Sequence, residues 1–171
     1  TEVWSVAWEH AKPYFMKHTK KQLQYAMLQG MNLQKIDLSH SNLRRANLHG
    51  SWLRRSNLSD SDLRYSDFRK ADLCGSDFRW STLHGANFYD SDLSFSRLSR
   101  ADFGDSDLRF ADLSFSDLRG ADFTNSTLRR SNLNGSDLRG ANLSGVDLRG
   151  ADLTDANLED VIKNEHTIGL E

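Results

Sequence analysis

The side chains that could do chemistry here are histidine, cysteine and a large set of carboxylates, and their spacing decides what they can do. The six histidines, His10, His18, His40, His49, His84 and His166, share no metal-ligand spacing. Cys74 stands beside Gly75 with no histidine nearby in sequence, so an activated thiol nucleophile is not expected. Gly75, Gly120, Gly135, Gly140 and Gly150 fall at regular intervals and form no loop that could cradle a phosphate. The aspartates lack the Gly-Gly-x-Gly-x-Asp pattern of calcium-binding β-rolls. Catalysis needs unlike groups converging in a concavity. Nothing in this pattern supplies that, so the expectation is a protein that is not an enzyme, with no catalytic residue, metal or cofactor.

The reason lies in the element that positions these residues. From Leu28 to Leu158 every fifth residue is Leu or Phe, giving 27 centres, 22 Leu and 5 Phe. An α-helix turns about 100° per residue, so a five-residue apolar series walks around it and makes no stripe. A flat strand would send successive centres to opposite faces. The chain must therefore turn a corner once per pentapeptide and keep every centre on one axis.

The other places in the repeat agree. Two residues before the centre stand 14 Ser, 10 Ala, Met31, Ile36 and Val146, a small inner layer beside the bulky centre. Its hydroxyls must bond backbone or one another. Immediately before the centre stand 14 Asp and 8 Asn, with Met27, Trp52, Thr82, Arg97 and Thr127 as departures. Asp and Asn favour turns by bonding nearby backbone amides. The two places after the centre are polar corners expected to face water. Leu73, Phe68, Phe88, Leu93, Phe103, Leu113, Phe123 and Leu133 are thus core centres. On this assignment Leu113→Asp disrupts the coil, whereas Ser114→Asp is nearly silent.

Runs such as Ala-Asp-Leu-Cys-Gly at 71–75, Ala-Asp-Phe-Thr-Asn at 121–125 and Ala-Asn-Leu-Ser-Gly at 141–145 resemble the pentapeptide repeat family, whose motif is Ala-(Asp/Asn)-Leu-x-x. The resemblance covers residues 26–160. It implies an all-β fold, a right-handed, quadrilateral parallel β-helix with four pentapeptides per coil, here nearly seven coils and roughly 32 Å long at ~4.8 Å per coil. It also implies pairing of two copies through a β-helix end. Some family members resemble duplex DNA in width and charge and occupy the DNA saddle of gyrase or topoisomerase IV. Those that resist gyrase poisons often carry interrupting loops, and this chain has none.

The expected organisation is one solenoid with two ends. Residues 1–25 form a helical cap: Val3, Trp4, Ala7, Trp8 and Ala11 recur at helical spacing before Pro13, and Thr19 to Gln22 resembles a capping box opening a second short helix through Leu23 to about Met27. Trp4, Trp8, Tyr14, Phe15 and Leu23 are assigned to shielding the open end of the core. Residues 26–160 are the repeats. Residues 161–171, with Val161, Ile162, Ile168 and Leu170, shield the other end or bury themselves in a second copy. No apolar run approaches the ~20 residues of a membrane span, and no signal peptide is evident. The cytoplasm is the default compartment. A chain beginning at Thr1 is expected to be a processed product or a fragment.

A 20-residue coil also predicts which surface residues stack. Asp72, Asp92 and Asp112 make one acidic row, continued by Asn132 and Asp152; Asp117 and Asp137 belong to another, interrupted at Arg97. Such rows invite the DNA-mimic reading. Duplex DNA carries one charge per ~1.7 Å, so a 32 Å mimic wants about 19 net negative charges. Residues 28–158 hold 18 Asp against 17 Lys plus Arg. Only segregation of charge to one side, best between Asp60 and Asp117, would rescue it. Tyr65, Trp80, Tyr89, Phe95, Phe110 and Phe115 all follow a centre, where bare aromatics are costly. They either stack on one another or, chiefly Trp80, Tyr89, Phe95, Phe110 and Phe115, form a protein-binding patch. The leading expectation is a rigid interaction module that binds a protein partner through its outer faces, with no direct nucleic-acid contact.

Overall fold

The computed structural model describes residues 21–170. In each pentapeptide the residue before the centre makes a single parallel β-bridge to the residue 20 further on, from Gln22 with Asn42 to Asn142 with Ile162. Four pentapeptides therefore complete one coil, and the coil has four sides. Side 1 carries the bridging column that starts at Met27, side 2 the column from Asn32, side 3 the column from Asp37, and side 4 the column from Gln22. The stacked rows expected from the sequence are all in this register.

Hydrogen bonds explain why five residues suffice. The centre amide donates up the stack, as Leu43 N–H does to Asp62 C=O at 2.8 Å, while the bridging amide donates down it, as Asp62 N–H does to Ser41 C=O at 3.0 Å. A turn then closes on the centre's own carbonyl, as Ala46 N–H does on Leu43 C=O at 3.0 Å. The second residue of every turn from Tyr25 to Asp160 has φ near +60°, and 19 of these residues are not glycine. That conformation costs about 1–2 kcal/mol in an L-residue. The corner amide recovers part of this by donating to the next coil, as Arg45 N–H does to Arg64 C=O at 3.0 Å.

Every centre from Leu33 to Leu148 is at most 1% exposed. The five phenylalanines gather in the middle: Phe68 stacks on Phe88 at 4.8 Å, Phe103 on Phe123 at 5.0 Å, and Phe78 meets both Phe68 and Phe88 edge-on. The inner serines are buried, and most of their hydroxyls donate to a centre carbonyl of their own turn, as Ser51 to Leu48 at 2.6 Å, or of the coil below, as Ser56 to Leu33 at 2.8 Å. Ser76 and Ser96 also meet each other at 3.3 Å.

Three expectations need correction. The short helix through Leu23 to Met27 does not form: Gln22 and Met27 bridge Asn42 and Asn47, so coiling reaches back to residue 21 and Leu23 packs as a partly buried centre. Leu23 stands five residues before Leu28, and that register outweighs the local capping pattern. The rest of the expected cap, including Trp4, Trp8, Tyr14 and Phe15, lies outside the described residues. The C-terminal tail is not separate from the coil, because Ile162 bridges Asn142 and Ile168 bridges Asp147 with one extra residue taken up in the turn between. Val161 and Leu170 pack against the core while Ile162 and Ile168 stay exposed. Finally, the place after the centre does not always face water: Ser94 and Ser114 are 8% and 6% exposed.

Candidate docking face

The aspartates before each centre act first on the backbone. Their carboxylate oxygen accepts the amide two residues on, as Asp77 accepts from Arg79 at 3.1 Å and Asp92 from Ser94 at 2.9 Å. This fixes the turn, and Asp and Asn are favoured because their short side chains reach that amide and accept from it more strongly than a Ser or Thr hydroxyl does. On sides 1 and 3 the same carboxylate is then clamped by the arginine just after the centre. Asp67 with Arg69, Asp107 with Arg109 and Asp147 with Arg149 do so on side 1; Asp77 with Arg79, Asp117 with Arg119 and Asp137 with Arg139 do so on side 3. The bonds are two-pronged: Arg139 Nε and Nη2 reach Asp137 at 2.9 and 2.7 Å.

These clamps titrate. The side-chain bonds from Arg119, Arg139 and Arg149 hold the carboxyls of Asp117, Asp137 and Asp147 below the ordinary carboxylate range. Because the folded pKa is depressed, the stabilisation is fully present above the unfolded value near 3.9 and is lost as pH falls through the folded value. The expected result is a melting temperature flat from pH 7 to about 5 and declining below about 4, with a shallower decline in D117N/D137N.

Side 2 lacks clamps. Its outward column carries Asp72, Asp92, Asp112 and Asp152 against a single guanidinium, Arg54, whose Nε lies 3.2 Å from Asp72. Asp92 is held by the Ser94 amide and hydroxyl at 2.9 and 2.6 Å, and Asp112 by the Ser114 amide at 2.9 Å and Asn132 Nδ2 at 3.2 Å. Neither makes an ion pair among the described residues. The acidic rows thus do not share one side: Asp117 and Asp137 belong to side 3, where arginine neutralises them.

The corner residues bound the same side. Phe95 stacks on Phe115 at 5.3 Å on the corner between sides 2 and 3. Phe110, on the corner between sides 1 and 2, meets Tyr89 edge-on at 5.4 Å. Phe110 and Phe115 flank side 2 within one coil, with Asp112 and the buried Ser114 between them. All three phenylalanines remain exposed, at 61% for Phe95, 43% for Phe110 and 55% for Phe115. Trp80 lies apart on the corner between sides 3 and 4, beneath the Arg100 guanidinium at 4.4 Å from its ring. Tyr65, on the fourth corner, stands edge-on to His84 at 6.1 Å with Arg45 over it. Trp52, 54% exposed within the side 2 column, is a surface aromatic that the sequence marks only as a departure from Asp/Asn.

Corner rings also lie over the next coil. A Cβ added at Gly135 would meet the Phe115 ring at 2.7 Å, and one at Gly85 the Tyr65 ring at 2.6 Å, whereas at Gly140 it would meet nothing within 4 Å. All three glycines have positive φ. Gly140→Ala is therefore expected to destabilise by about 1 kcal/mol, the backbone cost alone. Gly135→Ala should exceed it by roughly another 1 kcal/mol, because the ring must also move. Equal losses in denaturant unfolding would contradict the stack. Among the described residues no group of His, Cys, Asp or Glu converges as a metal site, and no helix is long and apolar enough to cross a membrane.

A parallel solenoid with four pentapeptides per coil, small inner residues and Asx-closed turns defines a narrow class of protein. The profile of pentapeptide repeats matches residues 22–60, 53–88, 86–125 and 121–160, and the chain belongs to that family. A pentapeptide repeat protein from the thylakoid lumen of Arabidopsis thaliana is similar in structure, with a TM-score of 0.54, 27% identity and 71% of each chain covered. HetL, a pentapeptide repeat protein of the cyanobacterium Nostoc involved in heterocyst differentiation regulation, aligns over 95% of this chain and 98% of its own at 24% identity and a TM-score of 0.43. QnrB1, a plasmid-mediated fluoroquinolone resistance protein, aligns over 87% and 89% at 16% identity and a TM-score of 0.39. Such proteins form right-handed quadrilateral β-helices. No curated protein matches the sequence.

Proposed function

We propose that the chain is a rigid, non-enzymatic docking module that binds a protein partner along side 2. The observation that carries this reading is the pair of aromatic corners, the exposed Phe95/Phe115 stack on one edge and the exposed Phe110, backed by the half-buried Tyr89 of side 1 and overlain by Arg130, on the other, enclosing a floor of small residues and carboxylates in which Asp92 and Asp112 make no ion pair among the described residues. Exposed aromatic side chains are what protein interfaces use as anchors, with polar groups beside them fixing register. The backbone ladders hold these groups before a partner arrives, so little ordering entropy opposes binding. A complementary partner carries basic side chains for Asp92 and Asp112 and apolar ones for the rings. Replacing Phe95, Phe110 and Phe115 together by Ser should leave thermal unfolding within a few degrees of the native chain and abolish capture of the native partner. Retained capture would refute the reading.

The acidic column of side 2 favours one second reading, a DNA mimic that occupies gyrase or topoisomerase. The clamped carboxylates of sides 1 and 3 count against it, since arginine cancels the charge that a duplex presents on every side. A supercoiling assay with purified gyrase separates the two: no inhibition and no protection at micromolar protein removes the mimic. A second copy is also proposed at the C-terminal coil, where Leu153 and Leu158 are only half-buried and their amides find no acceptor among the described residues. Sedimentation equilibrium showing only monomer at tens of micromolar would contradict that pairing.

A further inference from the structure

The departure at Arg97 has a consequence on side 3, which adjoins side 2 along the Phe95/Phe115 corner. Wherever Asp or Asn precedes the centre, its side-chain oxygen takes the amide two residues on. At the coil of Leu98 that oxygen is absent, because the residue is Arg97, and the Ser99 amide finds no acceptor among the described residues. The Ser99 hydroxyl finds none either. Elsewhere the same two donors hold a carboxylate: Ser94 holds Asp92 at 2.9 and 2.6 Å, Ser39 holds Asp37 at 3.0 and 2.7 Å, and Thr154 holds Asp152 at 3.0 and 2.6 Å. At Ser99, then, the chain presents an oxyanion-holding pair of donors with a cation in place of the anion.

The surrounding charge points the same way. Arg97 is 67% exposed at its side chain, and its nearest carboxylate is Asp77 at 3.9 Å, beyond hydrogen-bond reach. Asp77 is already taken up by Arg79 through Nε and Nη2 at 2.9 and 2.6 Å. Arg100 follows Ser99 directly and is fixed over the Trp80 ring. In the coils below and above, Arg79 and Arg119 flank Ser99 in its own column. Asp77 and Asp117 are the only carboxylates in those three coils of side 3, against the guanidiniums of Arg79, Arg97, Arg100 and Arg119. The other places where Met, Trp or Thr precedes the centre leave the amides of Gln29, Arg54, His84 and Arg129 without that acceptor, but none combines a cation before the centre with a hydroxyl after it.

We propose that Ser99 and Arg97 form a binding site for an oxyanion of the phosphate class: the amide and hydroxyl of Ser99 donate to its oxygens, as they would to the aspartate missing from this coil, and the Arg97 guanidinium supplies the countercharge. The inference uses no contact of side 2 and stands whether or not a partner docks there. Its test is titration of the 15N-labelled chain with inorganic phosphate at constant ionic strength, with chloride as the balancing salt. The Ser99 amide is expected to shift saturably with a midpoint in the millimolar range, and the amides of Gln29, His84 and Arg129 much less. Arg97→Asp places a carboxylate of the chain's own on the Ser99 donors and should abolish the shift with the rest of the spectrum unchanged. Arg97→Gln, which removes the charge without supplying a carboxylate, should weaken binding several-fold. A Ser99 shift no larger than in chloride, shifts of equal size at the comparison amides, or full retention in R97D would overturn the site.

Discussion

Leu113→Asp should unfold the middle of the rod, with a loss of roughly 4 kcal/mol or more at neutral pH. Leu113 is fully buried on side 2, so the substitution removes its packing and places a carboxylate among apolar centres with no cation in reach. A buried carboxylate avoids part of the cost by taking up a proton, so the deficit should shrink below about pH 5. The neighbouring change sets the scale. Ser114→Asp keeps the core intact, yet Ser114 is only 6% exposed and donates its amide to Asp112, so a second carboxylate there meets a like charge and restricted hydration. About 1–2 kcal/mol is expected, not the silence that a water-facing corner would give. Denaturant unfolding of both variants checks the order, and equal losses would refute the inward assignment of the centre.

Phe88→Ala is the second large effect, about 3–5 kcal/mol. Phe88 stacks on Phe68 with planes 4° apart and meets Phe78 and Phe103 edge-on at 6.3 and 5.6 Å, so it is the junction of the aromatic core. Its removal leaves a void lined by three rings, and the hydrogen-bonded coils above and below cannot close in to fill it. Phe88→Leu, the residue that most coils already carry, should cost less than half as much. A loss in Phe88→Ala no greater than in Phe88→Leu would show that the rings contribute volume only.

The axis of this protein was legible because one spacing governs it. Leu28 to Leu158 fall every fifth residue, and a chain that must keep them together has to turn after each. Once the coil length is known, the surface columns follow by counting, which is why Asp72, Asp92 and Asp112 fall on one side and Phe95 beneath Phe115. Lateral relations were harder. Counting does not reveal that Phe110 turns toward Tyr89 or that Ser114 is covered. Those depend on how long side chains lean across neighbouring coils, and the five-residue pattern carries no signal for it. The residues near Leu23 show the opposite failure, a local helix-start pattern overridden by the ladder with Asn42. Arg97 was visible as an interruption of an acidic row. The turn-forming role of Asp and Asn was legible too, but not which amide each side chain takes, and so not that Arg97 leaves the Ser99 amide without an acceptor among the described residues.

Docking of a partner on side 2, between its two aromatic corners, is open to a direct test. Position-resolved photo-crosslinking tests it most directly: a photoreactive phenylalanine analogue is placed singly at positions 95, 110 and 115, and at the outward corner positions 40 and 140, each in the native cellular extract. Positions 95, 110 and 115 are expected to give one and the same crosslinked protein, competed away by excess unlabelled chain, and positions 40 and 140 none. Crosslinks of equal yield from all five positions, or from 40 and 140 alone, would contradict it.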